Sequence, residues 1–208
     1  MPVDSATLKV QTQAEEVYER TDYKRAFRIY RNELVPIGDK WAQYNVGFMY
    51  LTGKGVEEDR IAASAWYRLA AEREDDVLVR ARNQIMKSLD DEQRAESDRQ
   101  FIELRKQYGD LALLIREIRK DFEVLDSRTG SRVSGGSTPS SVLELDASGG
   151  IRAGADYYGR VERRMKSRLD YVANHVDLEA IDVDISRVSE SDIEALEQQI
   201  SLQMSELP

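Results

Sequence analysis

The sequence predicts a mainly α-helical fold: a short solenoid of paired helices with a helical C-terminal extension. Three observations predict it. From Leu8 to about Leu125, alanines, aromatics and aliphatics recur at spacings of three and four, as on helices with one buried face. Short breaks at 20–22, 36–39, 52–58, 74–76, 89–91 and 108–110 cut that pattern into helix-length segments. Finally, Asp22, Ala26 and Tyr30 recur as Asp59, Ala63 and Tyr67, each pair 37 residues apart. A period near this length with two helices per period is what stacked helical hairpins show.

Taken in order, residues 8–125 form the repeat domain, with its best repeat at 38–73. A partial repeat at 13–35 precedes it, and a degenerate, capping one at 77–108 follows. Asp90 with Gln93 predicts a capping box at the start of a helix. At Asp126 the composition changes, and 126–150 reads as a Ser/Gly-rich flexible loop containing SRTGSRVSGGSTPSS. Within it, Val142, Glu144 and Asp146 alternate with Leu143 and Leu145 before a Ser-Gly-Gly turn and Ile151, a signal for a small β-hairpin. The extension, 151–208, carries two helices. One runs from about Ala155 to Asn174 with Tyr157, Tyr158, Val161, Met165, Leu169 and Val172 apolar. The other starts after Ser189, which with Asp192 forms its cap, and shows a stripe of Ile193, Leu196, Ile200 and Met204.

Composition excludes several function classes. The chain has 208 residues, is 41% hydrophobic and 33% charged, and carries a net charge of −9. So acidic a chain is repelled by phosphate backbones and by anionic membranes, which argues against nucleic acid as a partner. No cysteine is present, which removes disulfides, thiolate metal sites and cysteine nucleophiles. No apolar run is long enough to span a membrane, and the first twenty residues lack the apolar stretch of a signal peptide. The expected location is the cytoplasm for the chain as it stands, or the periplasm if a signal has been removed.

No catalytic, cofactor or metal site is expected. His175 is the single histidine and falls near a helix end. Glu57, Glu58 and Asp59 read as a loop and a helix cap. Asp177, Asp182 and Asp184 do not have the spacing of a known calcium loop. No phosphate-cradling loop, nucleophile elbow or zinc motif occurs. The basic run RVERRMKSR, from Arg160 to Arg168, reads as a helix face paired with nearby carboxylates, or as a docking face for acid.

The segment 38–73, GDKWAQYNVGFMYLTGKGVEEDRIAASAWYRLAAER, resembles the Sel-one-like repeat family, relatives of the tetratricopeptide repeat. The resemblance rests on Gly38, Ala42, Val46, Gly47, Tyr50, Gly53, Gly55, Val56, Asp59, Ala63, Trp66, Tyr67, Ala70 and Ala71. It covers about half the chain, counting the partial and degenerate repeats. Position 74 departs from the family pattern, with Glu in place of glycine. Physically, Gly47, Ala63 and Ala70 let two helices approach closely, with Tyr50 and Trp66 filling the space beside them. Gly53 and Gly55 supply positive φ between the helices, Val56 plugs the loop, and Asp59 caps the second helix.

The resemblance implies a binding module: a non-enzymatic adaptor or scaffold in a bacterial setting, taking a segment of another protein on the concave face. Trp41, Tyr44 and Phe48, at spacings of three and four, share one side of the first helix and are the candidate partner-binding residues. The alternative for these three is internal packing against Ile85, Phe101 or the C-terminal helices. The alternative for the whole chain is a structural protein that self-associates into a homo-oligomer through its C-terminal helices.

Overall fold

The computed structural model describes residues 5–129, 143–145, 151–153, 157–175 and 189–205. Among them, three helical hairpins lead the chain: α1 (Ser5–Glu19) with α2 (Tyr23–Ile29), α3 (Lys40–Thr52) with α4 (Arg60–Ala70), and α5 (Asp76–Met86) with α6 (Asp91–Tyr108). Then follow α7 (Asp110–Thr129), strands β1 (Leu143–Leu145) and β2 (Ile151–Ala153), α8 (Tyr157–His175) and α9 (Glu190–Ser205). The predicted α-helical repeat fold is thus the observed one. By internal contacts the chain divides into two compact units, 1–113 with 201–208, and 114–200.

The breaks between helices are set by two residue types. Aspartate starts helices: Asp22, Asp39, Asp59, Asp75 and Asp90 each accept an N–H of the first turn. Asp90 and Gln93 form both halves of the expected capping box. Residues of positive φ end helices. At Gly53 (φ 65) and Gly38 (φ 80) the following N–H reaches back five residues, from Lys54 to Met49 and from Asp39 to Leu34. Thr21 (φ 61) and Glu74 (φ 55) do the same work without glycine's freedom. Helix α2 does not stop at Ile29. It widens into a π turn over Tyr30–Leu34 and tightens into a 3₁₀ turn over Val35–Ile37 before Gly38.

The main core of the first unit is built from Ala14 and Val17 of α1, Ala26 and Ile29 of α2, Val46 and Met49 of α3, Trp66 and Leu69 of α4, and Phe101 of α6. Helix α4 is buried along most of its length, because α3, α5 and α6 all pack on it. The repeated residues occupy matching places: Ala26 and Ala63 are fully buried, as nearly are Tyr30 and Tyr67.

Polar residues are also enclosed here. Lys40, nearly buried, sends its ammonium to the Leu69 carbonyl (3.1 Å), Glu72 (2.9 Å) and Asp110 (3.1 Å). Arg73 meets Asp110 through two hydrogen bonds of 2.8 and 2.9 Å, and Arg105 approaches Glu72 at 3.3 Å. Gln43, fully buried, donates to the Tyr108 carbonyl at 3.3 Å. These contacts tie α3 to the start of α7.

In the second unit, Val161, Met165, Leu169 and Val172 of α8 and Ile193, Leu196 and Ile200 of α9 are buried, as their spacing predicts. Arg164 and Arg168 close on Asp121 of α7, which is only 2% exposed, and Arg119 grips Glu197 with two bonds of 2.6 Å. Two arginines of the basic run are therefore matched internally. Ser189 and Asp192 cap α9 reciprocally, at 3.3 and 2.7 Å. The strands pair antiparallel, Leu143 with Ala153 and Leu145 with Ile151. Helix α7 runs to Thr129, beyond the expected start of the loop at 126. The rest of that loop, its Ser-Gly-Gly turn and Asp177, Asp182 and Asp184 lie outside the described residues. No helix among the described residues is long and apolar enough to cross a membrane.

Candidate binding groove

Gly47 sits where α3 meets α4. A Cβ there would lie 2.7 and 2.9 Å from two ring carbons of Tyr67 and 3.2 Å from the Ala63 carbonyl. The filler beside Gly47 is therefore Tyr67, not Trp66 as the sequence reading had it. Residues 66 and 67 point about 100° apart around a helix. Trp66 turns instead into the main core, while Tyr50 flanks both sides, against Phe27 (5.5 Å between rings) and beside Ala63 and Tyr67. Gly53 and Gly55 both have positive φ, and a Cβ on Gly55 would strike the Tyr23 carbonyl at 2.4 Å. The loop between α3 and α4 thus presses on the start of α2, with Val56 packed on the core. Asp59 takes the N–H groups of Ile61 and Ala62, both at 2.9 Å. Ala42, Ala63 and Ala70 are buried against neighbouring helices.

With these contacts fixed, the outer stripe of α3 faces a groove of about 320 Å³ between α3, α4 and α5. Tyr44, Phe48 and Leu51 form one wall, Tyr67 the floor, and Ala81 and Ile85 the far wall. The Tyr44 and Tyr67 rings stack at 5.1 Å. Burial, with the neighbouring Tyr44 hydroxyl and its hydrogen bond, pushes the Tyr67 hydroxyl well above the usual tyrosine range. The Tyr67 phenol is therefore neutral, and the groove is apolar with hydroxyl edges. Arg60, bonded to Ser88 at 2.8 Å, is the cation on its lining.

The three predicted partner-binding residues are placed differently. Trp41 is 52% exposed and meets the Tyr44 ring edge-on at 5.8 Å. Tyr44 and Phe48 are half-buried, packed near Ile85 while still lining the groove. Leu51 continues the same stripe and was missed; its signal was the same spacing, one step further. Lys54 was missed too. Its ammonium sits 5.1 Å from the Tyr18 and Tyr23 rings and 5.6 Å from Phe48, and donates to the Tyr18 hydroxyl at 2.9 Å. His175 closes α8; its side chain lies outside those described.

Fold and groove together define a short stack of α-hairpins with one aromatic-lined groove between consecutive first helices. Residues 42–75 match the family model of the Sel1 repeat, so the resemblance read from the sequence is borne out over that segment. No curated protein and no solved structure matches the chain. Sel1 repeats generally mediate protein–protein interaction, and their helical fold is typically non-catalytic.

Proposed function

We propose that the chain is a non-enzymatic adaptor that seats an extended segment of a partner protein in the groove between α3, α4 and α5. The observation that carries this reading is the exposure of Trp41 against Tyr44, a ring that itself lines an aromatic groove. A half-exposed aromatic packed on a ring of an apolar groove is a side chain from which binding energy is readily drawn. Trp41 and the lips of Tyr44 and Phe48 supply contact area, and Arg60 orients the segment.

The self-association reading has less behind it: Val161, Met165, Leu169 and Val172 of α8 and Ile193, Leu196 and Ile200 of α9 are buried, and Tyr171 and Leu202 are their exposed large apolar side chains among those described. The test is a pull-down with the full chain beside Trp41→Ala and Trp41→Ala/Tyr44→Ala variants, each checked by thermal melting. Proteins held by the wild type should be lost from both variants. If folded variants retain the same proteins equally, the groove is not the binding site.

A further inference from the structure

A second cleft, of about 460 Å³, lies on the opposite side of α4, between the π turn, α4 and α6. Arg60 and Tyr67 face the aromatic groove, whereas Ala62 and Trp66, about 100–160° away around the helix, face this one. Its floor is Tyr50, Ala62, Trp66 and Leu104, and Arg31 stands at its wall.

Arg31 is held unusually firmly. Its guanidinium lies 4.9 Å from the Trp66 ring centre and 4.8 Å from that of Tyr108, and Nη1 donates to the Tyr108 hydroxyl at 2.9 Å. Two rings flank it, and the π turn of Tyr30–Leu34 carries it. Such turns often sit at functional sites. Yet among the described residues no carboxylate pairs with it, and its other donors meet no protein acceptor. The acids that line the same cleft already pair with cations other than Arg31: Glu96 with Arg99, which lines the cleft as well, at 2.9 Å, and Glu103 with Lys106 at 3.3 Å. By contrast, Lys40, Arg68, Arg73, Arg164 and Arg168 all have carboxylate partners.

We propose that this cleft is a second peptide-binding site, in which Arg31 receives one side-chain carboxylate of a partner segment and the floor receives an adjacent apolar side chain. A planar guanidinium with free N–H groups is shaped for a carboxylate. The fit is for a single acid, because a second would approach Glu96 and Glu103. The site is separate from the Trp41–Phe48 groove and does not depend on it.

The probes are two blocked tripeptides, N-acetyl-Leu-Glu-Leu-amide and its Gln isostere, titrated onto the full chain in a Trp41→Phe background. The chain's two tryptophans are then reduced to Trp66, whose fluorescence reports the cleft. The Glu peptide should bind about tenfold more tightly than the Gln peptide. That preference should vanish in Arg31→Gln and shrink in Arg31→Lys. An N-acetyl-Glu-Glu-Glu-amide peptide should bind more weakly than the single-acid one. Equal binding of the Glu and Gln peptides, no response to either up to about 10 mM, or tightest binding of the triple acid would each overturn the proposal. The comparison of Glu with Gln on unaltered Arg31 keeps the test valid even if the Arg31 variants are destabilised.

Discussion

At Gly47 two effects of opposite sign compete. Alanine is the better helix former by about 1 kcal/mol. Against that, a Cβ would enter the Tyr67 ring and crowd the Ala63 carbonyl, and overpacking of this kind costs roughly 1–3 kcal/mol. Overlap with two ring carbons and a backbone oxygen places the cost at the upper end. Gly47→Ala should therefore lose roughly 1–2 kcal/mol in urea unfolding; a gain would mean α3 and α4 do not approach closely there. Glu74 poses the reverse case. It is exposed, has no side-chain hydrogen bond among those described, and holds φ 55, a strained conformation for any residue with a Cβ. Here the departure from the family's glycine is a local cost, not a change of path. Glu74→Gly should raise stability by roughly 0.5–1 kcal/mol after its own unfolded-state entropy is counted, read as a higher urea midpoint.

The helices were the most legible part of the sequence, and the reason is local chemistry. An aspartate that caps a helix acts within three residues, and a residue of positive φ acts within one turn, so both leave marks that a linear reading detects. All six breaks fall where the chain turns. The contacts that lock helices together left no such mark. Nothing near Lys40 in the sequence marks the Glu72 and Asp110 carboxylates, far along the chain, that enclose it. Arg31 meets Tyr108 across 77 residues, and the Asp121 partners lie more than 40 residues away.

The Lys40–Asp110–Arg73 network also predicts a response to acid. Burial opposes ionisation of Asp110, but the Arg73 hydrogen bonds and the Lys40 charge outweigh it and hold its pKa below the ordinary carboxylate value. A group depressed in this way binds fewer protons folded than unfolded. Its stabilisation is present in full above about pH 4 and is lost as pH falls through the folded-state pKa. Urea midpoints of the wild type should therefore exceed those of Asp110→Asn at neutral pH, and the two should converge in acid. Parallel curves from neutral pH down to about pH 2 would show that Asp110 does not supply this linkage.

For the whole molecule, the same aromatic stripe serves packing and recognition. Trp41, Tyr44 and Phe48 were visible as a stripe, but their division between core and groove depends on Tyr67 and Ile85, which only the fold brings to them. Half-buried rings are held rigid by one face and leave the other for a ligand, which is how a short repeat stack can offer a preorganised surface. The direct measurement is hydrogen exchange by mass spectrometry on the full chain, alone and saturated with a captured partner. The account predicts slowed exchange in α3 and α5, the two walls of the groove, with α8 unchanged. Slowing confined to α8 and α9, with α3 and α5 exchanging as in the free protein, would contradict it.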